Sequence, residues 1–258
     1  MQVMQTKRIG RIGGWRPSLP DHNDLMYTLP LDMLGKLPST ADNRRLCLPV
    51  RDQGNVGACT AFSSTGMLGY DRNRQGLDPF AYSELYIYYQ TRLSEGTEDA
   101  DVGATNRDTI KTALKLGVCA ESLWPYDATK VTEAPLAGCD ESAIQHRAVE
   151  YRRITHNLTN MQSVLADKNT FIAGIGVYPS FEGNQVAKTG MVPMPKRGER
   201  LLGGHSILIC GYEDDKQVFI CQNSWGATWG DYGFFYLPYD YLTNSRYSDD
   251  FWCIQSVQ

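Results

Sequence analysis

The stretch DQGNVGACTAF, residues 52–62, places a cysteine at the start of a run that is rich in small residues. Gln53 precedes this cysteine, Cys59, and two glycines, Gly54 and Gly57, lie between them. From Ala58 to about Tyr70 the chain reads ACTAFSSTGMLGY, has no proline and predicts a helix that is buried on most sides. A cysteine at this position is a small buried hydrophobe, half of a disulfide, a metal ligand or a nucleophile.

The predicted helix favours the nucleophile. A thiol at a helix N-terminus meets the positive end of the helix dipole and backbone N–H groups that have no partner inside the helix, and both stabilise a thiolate. The N–H of Cys59 and the side-chain amide of Gln53 would supply two donors to an oxyanion if the loop between them folds tightly. Gly54 and Gly57 permit such a loop. The stretch therefore predicts a nucleophile together with its oxyanion donors.

A histidine and an asparagine further along the chain are the expected partners of this thiol. His205 follows two glycines and begins an apolar run, although a structural role is the default for a single histidine. If strands at 205–212 and 217–222 pair through the turn EDDK, Asn223 ends near His205. An asparagine oxygen accepts from one imidazole nitrogen and leaves the other to face the thiol. Trp225 would cover this pair and exclude water from it.

Composition and charge are typical of a globular protein and exclude several functional classes. Hydrophobic residues make up 42% of the 258 residues, charged residues make up 21%, and the net charge is -4. The basic clusters are too short to indicate a nucleic-acid partner. No apolar run approaches the roughly 20 residues that span a bilayer, so we expect no membrane span. The N-terminus lacks the apolar stretch of a standard secretory signal, which leaves a cytoplasmic protein, secretion by a leaderless route or a leader missing from this sequence.

The seven cysteines do not indicate a metal or redox centre. They contain no CxxC pair, which argues against a zinc knuckle and against a thioredoxin-type motif. No Asp, Glu or His grouping has metal-ligand spacing, so we expect neither a metal nor a cofactor. The odd number of cysteines leaves at least one thiol unpaired in a monomer, and a monomer is the expected state of the protein. Cys210 and Cys221 lie in apolar strand-like runs and are interpreted as small buried hydrophobes.

The chain divides by composition into an arm at residues 1–40, a helical lobe at 41–147 and a β-rich lobe at 148–258. The arm has little periodicity, yet it carries too many apolar side chains for a solvated tail: Trp15, Leu25, Met26, Tyr27, Leu29 and Leu31. Patterning predicts helices at 58–70, 83–93, 107–116 and 158–167, and strands at 148–154, 171–178, 205–212, 217–222 and 233–237. Helices first and strands later indicate an α+β fold with two separate lobes.

Three blocks in order, DQGNVGACTAF, GGHSILICGYE and NSWGATWGDYG, resemble the signature blocks of papain-like cysteine peptidases. The resemblance extends from about Leu46 to Trp252. It implies that Cys59 is the nucleophile, His205 the general base and acid, Asn223 the residue that orients the histidine, and Gln53 the oxyanion donor. The implied fold has a helical N-terminal lobe and an antiparallel β-barrel-like C-terminal lobe, with the active-site cleft between them.

The same resemblance suggests residues that bind the substrate, a peptide or protein held in extended form. Gly103 lies where the family pairs a glycine backbone with the substrate strand by β-augmentation. Gly204 would open the pocket for the second residue upstream of the scissile bond, where an apolar side chain is expected unless Asp101 or Glu182 alters the preference.

The sequence also departs from the common family pattern around the nucleophile, CGSCWAF. Val56 replaces the first cysteine and Thr60 replaces the tryptophan, so the disulfide usual at that cysteine is missing. These departures resemble the divergent bacterial branch typified by xylellain. About 40 residues precede the enzyme-like region, too few for the long helical propeptide of most relatives. We expect the arm that contains Trp15 to fold over the cleft as a short intramolecular inhibitor.

Two functions other than hydrolysis remain compatible with these motifs. One is a catalytically silent papain-like module that only binds peptides, although the chain keeps all four catalytic groups. The other is a peptide ligase or transamidase, which would pass the same thioester to an amine instead of water.

Overall fold

The structure is a computed structural model that describes residues 14–19, 21–28, 35 and 37–258. Residues 1–13 of the predicted arm, together with Leu29 and Leu31, therefore lie outside the described residues. The predicted division into an arm and two lobes at residues 40 and 147 stays a prediction.

The larger helices lie mainly in the first half of the described chain. The helices are α1 (Cys59–Arg74), α2 (Glu84–Glu95), α3 (Asn106–Lys115), α4 (Cys139–Ala143), α5 (Leu158–Ala166), α6 (Asn184–Thr189) and α7 (Tyr239–Thr243), with short 3-10 helices at Arg44–Leu46 and Ala128–Lys130. The expected cap Ser83 starts α2, since its side chain accepts the N–H of Tyr86 at 3.1 Å. Helix α1 has no side-chain cap, which leaves its first N–H groups to the thiol of Cys59.

The strands form a two-stranded and a seven-stranded sheet within the described residues. They are β1 (Trp15–Arg16), β2 (Thr40–Asp42), β3 (Ala104–Thr105), β4 (Ala148–Arg153), β5 (Phe171–Val177), β6 (Gly203–Glu213), β7 (Val218–Gln222), β8 (Phe234–Pro238) and β9 (Ser248–Val257). The large sheet has the order β4-β9-β5-β6-β7-β8, is antiparallel throughout, and adds β2 beside β6. The α+β fold is confirmed, and the expected barrel-like lobe is an open sheet rather than a closed barrel.

The predicted hairpin brings the histidine and asparagine blocks together. Strands β6 and β7 pair antiparallel, with Glu213 opposite Val218 on either side of the turn. The sequence analysis missed β9, which lies between β4 and β5 in the sheet. This strand carries two acidic residues ahead of its aromatic run, so its pattern resembles a loop followed by a short strand.

The core lies on the two faces of the large sheet. One apolar cluster joins α1, α2 and α3 to one side of the sheet and includes Leu68, Ile87 and Trp252. The other cluster fills the opposite side and includes Phe171, Phe219 and Trp229. Helix α1 packs against β6 and β9, which brings the N-terminus of α1 beside the start of β6. Among the described residues, every helix is too short or too polar to cross a bilayer.

Candidate active site

Cys59 is the first residue of α1, and its side chain is fully buried. The backbone N–H of Ser206, at the start of β6, donates to its Sγ at 3.3 Å. Burial raises the pKa of the Cys59 thiol to about 12, and the backbone N–H groups of Ser206, Thr60 and Cys59 itself act in the opposite direction. The expected activation by the helix start is thus present, but in this structure burial outweighs it.

Gln53 lies in a loop that the NSWG segment holds against the start of α1. Its backbone N–H donates to the carbonyl of Ser224 at 2.9 Å, and its side-chain Oε1 accepts from the Ser224 hydroxyl. Its Nε2 donates to the carbonyl of Val56 at 2.7 Å. Because a primary amide carries two N–H bonds, one remains for a further acceptor. Gly54 has a φ of 65°, which allows the tight loop.

The structure brings His205 and Asn223 into direct contact. His205 Nε2 donates to Asn223 Oδ1 at 2.8 Å, and the N–H of Ser224 donates to the same oxygen at 2.9 Å. Trp225 packs over this pair, with its ring centroid 5.0 Å from that of His205 and an interplanar angle of 32°. All three side chains are buried. This bond leaves Nδ1 as the imidazole nitrogen that faces away from the asparagine.

The arm passes directly over the thiol. A Cβ atom on Gly14 would lie 2.9 Å from Cys59 Sγ and 2.3 Å from the carbonyl oxygen of Gly57, so only a glycine fits here. The carbonyl of Gly14 accepts the N–H of Ala104 at 2.8 Å, and β1 pairs with β3 in parallel. Gly103 has a φ of 75°, and a Cβ atom there would lie 2.4 Å from the Gly14 oxygen. Gly103 is therefore beside an extended segment, and in this structure that segment is the arm.

Trp15 fills a pocket next to the thiol. Added Cβ atoms would lie 1.9 Å from its indole ring at Gly174 and 2.4 Å from its carbonyl oxygen at Gly204, so two glycines create the space. The indole Nε1 donates to Asp250 Oδ2 at 3.0 Å. Trp252 Nε1 donates to the other oxygen of Asp250 at 2.7 Å. Gly204 thus borders the pocket that Trp15 fills, and this pocket contains a buried carboxylate.

Further polar contacts fasten the arm along its described length. Ser18 Oγ donates to Asp250 Oδ2 at 3.0 Å, and Arg16 forms an ion pair with Glu95. Farther along, Asp24 forms an ion pair with the buried Arg107 and with Arg153, the latter at 3.3 Å. Backbone bonds join the segment around Met26 to β4 at Arg153. The described arm therefore follows the cleft and then runs onto the sheet.

Asp101 and Glu182 are the acidic residues that the sequence suggests as modifiers of the preference of this pocket. Asp101 binds the N–H of Gly57 through both oxygens at 3.0 Å and the hydroxyl of Tyr88 at 2.5 Å, so it supports the nucleophile loop. Glu182 is exposed. The sequence analysis overlooked Asp250, whose signal was an acidic pair just before an apolar run.

The remaining thiols and acids complete the description of the site. All seven cysteines are free, and Cys210 and Cys221 are buried as expected. Within the described ranges, three or more His, Cys, Asp or Glu side chains do not gather into a group that would hold a metal ion.

Comparisons with known proteins place these features in a family context. A sequence profile described as papain family cysteine protease matches residues 37–248. An uncharacterised peptidase C1-like protein of Acanthamoeba polyphaga mimivirus is 33% identical over 279 residues, which cover 98% of this chain and 90% of that protein.

Two solved structures show the same fold. The crystal structure of xylellain, a cysteine protease from Xylella fastidiosa, has a TM-score of 0.92 and 34% identity over 98% of this chain and 99% of that chain. The proCathepsin B S9 structure from Trypanosoma congolense has a TM-score of 0.74 and 15% identity, covering 92% of this chain and 83% of that chain.

Proposed function

This chain belongs to the papain family of cysteine proteases, and we propose that it cleaves peptide bonds as an endopeptidase through a thioester on Cys59. The chain is a cysteine peptidase by family, and the proposal concerns the residues, the substrate and the control of the reaction. Three contacts between neighbouring residues carry it: the thiol accepts the N–H of Ser206, the residue after His205, His205 bonds to Asn223 at 2.8 Å, and Gln53 bonds to Ser224, the residue after Asn223.

Acylation begins with proton transfer from the thiol of Cys59 to Nδ1 of His205. The thiolate then attacks the carbonyl carbon of the substrate, a C–S bond forms, and the carbonyl oxygen becomes an oxyanion. The N–H of Cys59 and the second N–H of Gln53 Nε2 stabilise this oxyanion. The imidazolium of His205 gives its proton to the leaving nitrogen as the C–N bond breaks, and the amine product departs.

Deacylation repeats the same steps with water as the nucleophile. His205 removes a proton from the water as its oxygen attacks the thioester, and the C–S bond breaks to release the acid product. Asn223 holds the ring throughout by accepting from Nε2. Trp225 covers that hydrogen bond and keeps water away from it.

The products of a defined peptide test this reaction. We expect mass spectrometry of the products to show a free carboxylate at the new C-terminus, with one water added for each bond cut. A product joined to an added amine would indicate a ligase or transamidase instead. Full binding of a peptide without any cleavage, under reducing conditions and with the arm displaced, would indicate a silent module.

The described arm is proposed to restrain the enzyme. Its backbone at Gly14 covers Cys59 Sγ, and its Trp15 fills the neighbouring pocket, so a substrate chain has no room in the same place. A buried thiol with a raised pKa is also a poor nucleophile at neutral pH, because the thiolate is the reactive form. Inhibition by the arm therefore has a steric and an electrostatic component.

The pocket of Trp15 is proposed to select the second residue upstream of the scissile bond. When the arm leaves, the carboxylate of Asp250 loses the donors of Trp15 and Ser18 in a largely buried site. Trp252 still donates to Oδ1, but a buried carboxylate oxygen without a donor is costly, and a guanidinium would restore a charge-assisted bond to Oδ2. We therefore expect arginine to be favoured over leucine at this position, in place of the apolar preference expected from sequence.

A further inference from the structure

A buried chain of polar side chains runs beneath the nucleophile from α1 to β9. Ser63 Oγ lies 2.7 Å from Ser206 Oγ, which donates to Asn106 Oδ1 at 2.7 Å. Asn106 Nδ2 in turn donates to the backbone carbonyl of Asp250 at 3.1 Å. All four residues are almost completely buried. Polar groups in such a place are costly unless each finds its partner, so their arrangement is tightly constrained.

The hydrogen atoms of this chain can be placed in one direction only. A hydroxyl carries a single hydrogen, and that of Ser206 is used by Asn106. The carbonyl of Thr60 also lies within reach of the Ser63 hydroxyl, at 3.2 Å, but the shorter 2.7 Å contact requires Ser63 to donate to Ser206. The amide of Asn106 is fixed as well, because the opposite orientation would set its oxygen against the carbonyl oxygen of Asp250. The four groups thus form one directed series that ends on a backbone carbonyl.

The two ends of this series lie at the two functional parts of the cleft. At one end, Ser206 follows His205 in β6, and its N–H donates to Cys59 Sγ at 3.3 Å. At the other end, Asp250 holds Trp15 through its carboxylate, and its backbone has a φ of 67°, which is unusual for a residue other than glycine. Asn106, at the start of α3, joins these ends, since one amide group binds both β6 and β9.

We propose that Asn106 is a positioning residue for the catalytic thiol. Its amide holds Ser206 and Asp250 against the helical part of the molecule, so that the Ser206 N–H stays directed at Cys59 Sγ. That donor stabilises a thiolate more than a thiol, because hydrogen bonds to an anion are the stronger ones. Without Asn106, Ser206 and Asp250 lose their link to α3, the Ser206 N–H is less firmly directed at Sγ, and the thiolate loses part of its stabilisation. The inference rests on Cys59 being the nucleophile of the proposed function.

The pH profile of Cys59 alkylation by iodoacetamide in the full chain tests this inference, with the modified residue identified by mass spectrometry. A change in how often the arm opens multiplies the alkylation rate by the same factor at every pH, whereas the midpoint of the profile reports the pKa of the Cys59 thiol. In Asn106→Leu we expect the midpoint to rise by about one unit, so that the rate near neutral pH falls about tenfold. Asn169→Leu is the control, because Asn169 is also buried and its side-chain amide donates to neighbouring Asp167.

A smaller variant keeps the test decisive if Asn106→Leu does not fold. Ser206→Ala removes the hydroxyl link and keeps the backbone N–H at Cys59, and we expect a shift in the same direction. The double variant should shift no further than the larger single one, because both interrupt the same series. Asp101, whose charge raises the pKa of Cys59, is unchanged in all variants, and so is His205, the proposed catalytic partner of the thiol.

Profiles of Asn106→Leu or Ser206→Ala that coincide with those of Asn169→Leu and of the unsubstituted chain would overturn the inference. The result is independent of peptide hydrolysis. An unsubstituted chain that cleaves no peptide would count against the proposed function alone, since alkylation still reports the position of the thiol.

Discussion

At the nucleophile, two opposing effects set the state of the thiol. Burial raises the pKa of Cys59 to about 12, while backbone N–H groups at the helix start and at Ser206 lower it. The first effect depends on the arm, because Gly14 covers the sulfur. The donors belong to α1 and β6 and remain when the arm leaves. We therefore expect the thiol to become more acidic as the cleft opens.

The side-chain amide of Gln53 gives a prediction for the oxyanion. Gln53→Glu keeps an acceptor for the Ser224 hydroxyl and loses the Nε2 donor. We expect kcat for a peptide substrate to fall about 100-fold or more, with KM little changed, because the donor acts mainly on the transition state. Ser224→Ala is the control, since it leaves the amide in place. Equal losses of kcat in both variants would show that Gln53 serves only the structure of the loop.

The carboxylate of Asp250 gives a prediction for specificity. Asp250→Asn keeps the size of the side chain and the backbone carbonyl that Asn106 binds, but it removes the charge. The test uses two peptides that differ only in arginine or leucine at the second position upstream of the cut. We expect the ratio of kcat/KM for the arginine peptide to kcat/KM for the leucine peptide to be at least tenfold lower in the variant. The ratio is independent of the amount of active enzyme. An unchanged ratio would mean that the side chain of that residue does not reach Asp250.

Among the elements, the arm makes the most direct prediction about control. Trp15→Ala removes the indole from its pocket and its bond to Asp250, so the arm should leave the cleft more often. We expect a peptidyl epoxide to modify Cys59 at least tenfold faster in this variant than in the unsubstituted chain. Leu19→Ala is the matched control, because that side chain is 82% exposed and only its carbonyl contacts Arg107. Equal rates in the two variants would contradict inhibition by the arm.

The first residue of α2 predicts a pH dependence of stability. Glu84 is buried, and burial raises its pKa from 4.5 to about 7 against the opposing charge of Arg51. Between about pH 4.5 and 7 the unfolded chain ionises this group while the folded chain keeps the proton. The free energy of unfolding therefore falls as pH rises through this window, by roughly 3 kcal/mol at most.

Thermal unfolding of Glu84→Gln measures this contribution. Glutamine retains the shape of the side chain but does not titrate, so we expect the melting temperature of the variant to fall less between pH 5 and 7 than that of the unsubstituted chain. Melting curves with the same pH dependence in both proteins would show that Glu84 is ionised throughout in the folded state.

Sequence patterns predicted the helices and strands that have a clear hydrophobic period or a capping residue, and they predicted no others. Helix α2 was predictable because Ser83 caps an apolar run, and the β6–β7 hairpin because two apolar runs flank EDDK. Strand β9 was missed, since it begins with Ser248 and two acids, and the burial of the second acid, Asp250, depends on tertiary partners. The partners of Asp250 are Trp15, Ser18 and Trp252. Trp15 and Ser18 are distant in sequence, and the sequence does not show that the nearby Trp252 is a partner.

At the scale of the whole molecule, the proposed catalytic groups come from segments that lie far apart in the chain. Cys59 and Gln53 lie at or just before the start of α1, whereas His205 and Asn223 lie on or just after strands of the large sheet. Spacing predicted this set, because each group follows a local signal such as a glycine pair or a helix start. The role of Asn106 was not predictable, because its partners Ser206 and Asp250 are brought to it only by the packing of α3 against the sheet.

The most direct test of the account combines peptide hydrolysis with epoxide labelling in the full chain and in Cys59→Ala. The seven cysteines are all free, so selective labelling is informative. We predict hydrolysis that stops when one epoxide per chain is bound, modification at Cys59 alone, and neither labelling nor hydrolysis in Cys59→Ala. Hydrolysis that persists in Cys59→Ala, or inactivation with the label on another cysteine, would contradict the account.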